Sequence, residues 1–183
     1  MKLLALTLAA LGADARMSFG KCPSSSVAGN FDKSKFAGNW YEISRDADFF
    51  FEMGHECTTQ QFTAQDDGSM NLYFRAWMWQ MLGYSGVNGN ARKCGDGNNY
   101  TCMISMKDKN DWSNPYDILY INDDHTVAVN YMCSEMFMGM ATFQWWSVIS
   151  KSQTISSSDL ADAYGAITDA NLGYSGLGAR MTQ

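Results

Sequence analysis

Along most of the chain the hydrophobic and polar positions alternate with a period of two. Residues 58–65, 70–79, 100–107, 116–122, 126–133 and 142–150 are each enriched in aromatic or β-branched side chains. Turn signals such as DDG, GDGNN, NDWSNP and NDDH separate them. With 40–45 and a weaker glycine-rich stretch at 84–93, the pattern predicts eight strands. Ser158-Asp159-Leu160-Ala161-Asp162 then reads as the capped start of a helix running to about Ala170, and glycines make 173–183 a flexible tail. LGYSG occurs at 82–86 and again at 172–176, in different surroundings, and marks no repeat architecture. Eight antiparallel strands joined by short turns fit a sheet closed on itself, which removes edge strands and leaves an interior for one small ligand. A two-sheet sandwich gives a similar pattern, and periodicity alone does not separate the two.

Alternation also assigns faces. Between 70 and 79, Leu72, Phe74, Ala76 and Met78 share one side while Asn71, Tyr73 and Arg75 share the other, so the apolar set should point inward. The same parity groups Trp40 with Glu42 and Ser44, and Gln60 with Phe62. It also groups Tyr116 with Ile118 and Tyr120, and Phe143 with Trp145, Ser147 and Ile149. These sets describe an aromatic, methionine-containing cavity with scattered polar groups, suited to a flat or extended apolar molecule carrying a few hydrogen-bonding groups. The competing reading is that bulky Phe and Trp side chains fill so small an interior themselves.

Composition narrows the functional classes. The chain has 183 residues and opens MKLLALTLAALGADA, a lysine, an apolar run and a small-x-small site, which predicts a signal peptide over 1–15 and one domain over 16–172. No later apolar run has the length of a membrane span. A formal charge of -6 argues against nucleic acid as partner. Asn99-Tyr100-Thr101 is a glycosylation sequon. The only histidines, His55 and His125, read as solvated loop and turn residues without metal-ligand spacing, and neither a nucleophile elbow nor a phosphate or dinucleotide fingerprint occurs. Nothing in the pattern assigns a catalytic residue, a metal site or a required cofactor.

Gly38-Asn39-Trp40-Tyr41-Glu42-Ile43 resembles the G-x-W-Y-E signature of the lipocalins. The resemblance implies an all-β fold, an eight-stranded antiparallel up-and-down β-barrel with one C-terminal α-helix packed outside. It also implies that Trp40 lies across the closed end and that Gly38 gives the entering chain room. KCPSSSVAGNFDKSKFAGNWYEISR and PYDILYINDDHTVAVNYMC resemble the corresponding segments of the apolipoprotein D and insect bilin-binding branch. Two departures stand out. Asn122-Asp123-Asp124 carries one extra residue in its turn, and Lys151 occupies the place of an arginine that stacks on the floor tryptophan.

In that branch the cysteine matching Cys22 pairs with the one matching Cys133. Cys94 and Cys102 flank GDGNNYT and are placed to staple their own hairpin, leaving Cys57 unpaired, as a reactive or intermolecular thiol or as a buried spectator. The connection between the first two strands folds over the open end in lipocalins. Here it carries Phe49, Phe50, Phe51 and Met53, which would cover a ligand, contact a membrane surface or receptor, or bury on the protein's own rim. Met136, Met138 and Met140 mark another such turn. The implied function is a secreted carrier or store for a small hydrophobic ligand such as a bilin, carotenoid, retinoid, sterol or fatty acid, with a pigment or lipid as the bound molecule. The alternatives are a lipocalin-fold enzyme for a lipophilic substrate, an isomerase or xanthophyll-converting enzyme using Cys57 or Glu42, and an interaction protein using its Phe- and Met-rich rim.

Overall fold

Strand pairing decides between barrel and sandwich. A computed structural model describes residues 17–25, 28–29, 31–47, 54–92, 101–106, 114–172 and 178–182, with 17, 101–106 and 114 by backbone alone. Strands β2 (Gly38–Asp46), β3 (His55–Ala64), β4 (Met70–Met78), β5 (Gly83–Arg92), β6 (Thr101–Met106), β7 (Asn114–Ile121), β8 (Val127–Met136) and β9 (Ala141–Ser150) each pair antiparallel with the next. β9 then returns to β2, from Tyr41 against Ser150 to Arg45 against Ser147. That last ladder closes the sheet into a ring of eight strands.

Two short strands lie outside the ring, β1 (Met17–Phe19) against β9 and β10 (Ala179–Met181) against β2. β10 corrects the expectation of a flexible tail at 178–182. β2 pairs with β3 only from Gly38 to Tyr41, so its second half would present a bare edge on that side. β10 fills it in register with Ser44 to Asp46, and Thr182 donates its N–H to the Ile43 carbonyl and its hydroxyl to the Glu42 carbonyl, at 3.0 and 2.8 Å.

Helix α1 (Lys33–Phe36) crosses the closed end, capped by Asp32, which accepts from the N–H groups of Ser34 and Lys35. It presents Phe36 to Trp40 and Phe62, with ring centroids 4.8 and 4.9 Å apart, and the Trp40 indole donates to the Phe36 carbonyl at 2.8 Å. Lys151 takes the arginine's part: its ammonium lies 5.2 Å from the Trp40 ring centroid and donates to the carbonyls of Lys35 and Ala37. Gly38 is needed for its backbone, whose φ is +124°, rather than for room. A Cβ there would meet only the Lys151 ammonium, at 4.0 Å.

The second helix, α2 (Ser157–Asp169), has its cap two residues earlier than its sequence suggests. Ser156 caps it, accepting from Asp159 N–H at 3.0 Å. Ala163 and Ile167 lay it on the outer faces of β7 to β9, against Leu119, Val129, Tyr131, Trp146 and Val148. The barrel wall therefore separates two apolar cores, one in the lumen and one under α2. Cys22 and Cys133 form a disulfide across 111 residues of sequence, with Cα atoms 5.9 Å apart, and anchor the N-terminal segment to β8. In the β7–β8 turn, Asn122 Oδ1 accepts from the N–H groups of Thr126 and Val127. His125 has φ +55° and is buried with Nδ1 3.1 Å from the Asp123 carbonyl, so it is not the solvated histidine its turn suggests.

Candidate functional site

Most of the residues assigned inward by alternation do face the lumen. Trp40, Phe62, Leu72, Tyr116, Ile118, Trp145 and Ile149 are buried together there, joined by Phe36, Met70, Ala91, Ile121 and Ala128. Glu42, Ala76 and Ser147 are also buried, and Phe74, Met78 and Phe143 are partly exposed nearer the open end.

Two assignments fail, both because a β-bulge inserts a residue and reverses parity beyond it. In β2 the register slips between Glu42 and Ser44, which pair with Ile149 and Val148. Ser44 is therefore turned outward, where it accepts from the Tyr164 hydroxyl of α2 at 3.0 Å, and Arg45 is turned inward. In β7 the slip between Ile118 and Tyr120 places Tyr120 in the core under α2 and brings Ile121 into the lumen. A third slip, in β3 between Glu56 and Thr59, turns Cys57 to the outside at φ +49° and sets His55 opposite Met78. His55 thus begins a strand rather than sitting in a loop, half-buried, with its ring 6.5 Å from that of Phe74.

The inward turn of Arg45 places a full charge inside the barrel. Its Nη1 donates to Glu42 Oε1 at 2.9 Å and its Nη2 to the His55 carbonyl, and both Arg45 and Glu42 are shielded from solvent. Burial pushes the Glu42 carboxyl up to about 7, and the Arg45 charge opposes only part of that rise. Burial and the same guanidinium hold His55 below its ordinary range. Sequence reading missed Arg45 because its parity is wrong unless the bulge is known.

A polar bridge spans the lumen. β3 and β7 stand four places apart in a ring of eight, on opposite walls, yet the Tyr116 hydroxyl donates to Gln60 Oε1 at 2.9 Å. Asn130 Nδ2 of β8 reaches the same oxygen at 3.4 Å. On the closed side of the bridge Phe36, Trp40 and Phe62 fill the barrel. Trp40, Phe62, Leu72 and Ile149 are therefore packed core rather than a surface offered to a ligand, and the other half of the lumen lies beyond the bridge, toward the open end. Its walls are Phe74, Ala76 and Met78 on β4, Met132 on β8, and Phe143 and Trp145 on β9.

Around the bridge, Gln60 Nε2, Asn130 Oδ1 and Ser147 Oγ are buried without a hydrogen-bond partner, as is His55 Nδ1 nearer the open end. Trp79, Met81 and Leu82 after β4, and Phe137, Met138 and Met140 between β8 and β9, stand exposed at the open rim. Phe49, Phe50, Phe51 and Met53 lie outside the described residues, as do Cys94 and Asn99, the side chain of Cys102 and the 1–15 segment. Cys57 is free and exposed. It shares a cleft of about 210 Å³ on the outer wall with Tyr41, Thr59, Arg75, Tyr84 and Gln153, away from the lumen. No group of three potential metal ligands occurs among the described residues, and no described helix is long and apolar enough to cross a membrane.

A closed antiparallel ring with an outer helix after its last strand, and an entering G-x-W-Y-E segment, matches a family model described as a lipocalin-like domain over residues 31–165. The chain belongs to the lipocalin family. It is 39% identical over 59 residues to the outer membrane lipoprotein Blc of Escherichia coli, covering 30% of this chain and 33% of that protein. It is 37% identical over 75 residues to apolipoprotein D of Cavia porcellus, covering 39% of each. The matched part of this lipocalin spans between a third and two fifths of those relatives' length. Its fold is that of insecticyanin from the tobacco hornworm Manduca sexta, with a TM-score of 0.74 at 17% identity over 92% of this chain and 89% of the other.

Proposed function

We propose that this lipocalin carries or stores a small hydrophobic ligand in the half of its barrel between the Tyr116–Gln60 bridge and the open end. One observation carries the reading. The inward walls there are apolar, while buried polar atoms without partners gather at their inner limit, an arrangement that suits a mostly apolar molecule with a few hydrogen-bonding atoms. Bilins, carotenoids, retinoids, sterols and fatty acids all have that general form. The apolar opening of the sequence supports export, so the proposed setting is the lumen of the secretory pathway and the extracellular space. One of the relatives is named as an apolipoprotein, which agrees with a lipophilic cargo. An enzyme reading would rest on Glu42 in the lumen, since Cys57 opens to the outer wall.

Tryptophan emission tests the proposal, because Trp145 borders the proposed cavity. Titrating the purified protein with a panel of these lipids should give saturable quenching. Native mass spectrometry of protein from its own source should show a mass excess that organic extraction removes. Absence of both signals would overturn the proposal.

A further inference from the structure

The buried polar atoms that lack partners specify more than polarity. Gln60, Asn130 and Ser147 have relative exposures of 1%, 0% and 0%. Asn130 and Ser147 face each other across the β8–β9 ladder, and Asn130 Nδ2 reaches Gln60 Oε1, so the three side chains form one patch. What remains open on it is the Gln60 Nε2 donor, the Asn130 Oδ1 acceptor, and the Ser147 hydroxyl, which can act as either. Turning both amides over exchanges the roles of Gln60 and Asn130 but still leaves one donor and one acceptor. A buried polar atom without a partner is costly, so the patch favours a ligand group that both donates and accepts.

Resting on the carrier reading above, we infer that the ligand is a lipid alcohol that enters polar end first, with its hydroxyl on the Gln60–Asn130–Ser147 patch and its apolar body toward the open end. A hydroxyl supplies the required donor and acceptor on one atom. An ionised carboxylate supplies acceptors only, would confront Asn130 Oδ1, and would compete with Glu42 for an Arg45 that already donates to it at 2.9 Å. A hydrocarbon or an ether leaves the Asn130 acceptor bare. The direction follows from the strands themselves. From Ser147 toward the open end β9 presents Trp145 and Phe143, from Asn130 β8 presents Met132, and beyond Phe74 β4 presents Ala76 and Met78. The apolar turn residues Trp79, Leu82 and Phe137 continue that surface at the rim.

The test is a matched series, hexadecanol, hexadecyl methyl ether and hexadecanoate at mildly alkaline pH, followed by tryptophan quenching. The alcohol should bind roughly tenfold or more tightly than either analogue. Ser147→Ala and Asn130→Leu should each narrow the gap between alcohol and ether, and circular dichroism identifies a variant that fails to fold. Acetylating the hydroxyl should abolish binding, whereas a dye at the far end of the chain should be accepted. Equal binding of all three compounds, or preference for hexadecanoate, overturns the alcohol assignment and leaves the carrier reading standing. Binding of none of them, nor of the wider lipid panel, removes both.

Discussion

Tyr116 and Gln60 meet across the full width of the barrel, phenol to amide oxygen at 2.9 Å, from strands on opposite sides of the ring. The contact divides the interior. Toward α1 the space is taken by Phe36, Trp40 and Phe62, and toward the rim the walls carry Phe74, Met132 and Phe143. Tyr116→Phe removes the donor while keeping the ring 6.4 Å from Phe62. The expected loss is about 1 kcal/mol of folding free energy, which for a domain of this size lowers the melting midpoint by about 2–4 °C. Calorimetry on both proteins reads it directly, and an unchanged midpoint would mean that the two side chains part in solution.

The β2 bulge separates two serines that simple alternation places together in the lumen. Ser44 holds the Tyr164 hydroxyl of α2, whereas Ser147 faces the lumen. Ser44→Ala should cost about 0.5–1.5 kcal/mol of stability and leave affinity for a lipophilic probe unchanged. Ser147→Ala should show the reverse order of effects, with affinity falling more than stability. Finding that Ser44→Ala alters ligand binding would place that serine back inside the barrel.

Glu42 gives stability a particular pH dependence. Its carboxyl is raised from 4.5 to about 7, mainly by burial, so the folded chain holds this proton more firmly than the unfolded chain does. The contribution is complete below pH 4.5 and is lost as the pH rises toward 7, because the unfolded state sheds the proton first. The full difference corresponds to at most about 3 kcal/mol. Glu42→Gln should remove that slope, so that wild type minus variant declines between pH 4.5 and 7 and is flat above. Denaturant midpoints at several pH values check the sign. A flat difference over that interval, with a rise confined below pH 4.5, would mean that Arg45 dominates and holds the carboxylate ionised.

The Cys22–Cys133 bridge closes a long loop and constrains the unfolded chain accordingly. Replacing both cysteines with serine should lower stability by up to about 4.7 kcal/mol in the chain-entropy model, without altering the far-ultraviolet signature of the sheet. Urea unfolding of the variant and of wild type, both kept oxidised, provides the comparison. A loss well under 1 kcal/mol would indicate that the N-terminal segment holds its place through other contacts, such as Ser25 to Asp117 and Ser18 to Thr142.

The number of barrel strands, the outer helix and the closing signature were legible because each depends on local pattern. β4 alternates without interruption, and every one of its assigned side chains faces the predicted way. Ser44, Tyr120 and Arg45 were not legible in the same manner. One extra residue at a bulge reverses everything beyond it, and the bulge is set by which backbone groups the neighbouring strand engages. β8 was opaque for another reason: α2 covers its outer face, so Val129, Tyr131 and Cys133 are as apolar as a lumen would require, while polar Asn130 is the residue turned inward. β10 could not be inferred from its own composition, because its partner is an edge that exists only after β3 diverges from β2.

The polar bridge also separates what this chain needs in order to fold from what it can change. Positions on its closed side are tied together by an indole hydrogen bond, three stacked or tilted rings and a lysine that joins α1 to the end of β9. Phe74, Met78 and Met132 on its open side take no part in those contacts. A library randomised at Phe74, Met78, Met132 and Phe143 should therefore retain far more folded members than one randomised at Phe36, Phe62, Met70 and Ile149. New cargo preferences could be selected in the upper half of this protein while the lower half continues to specify the barrel.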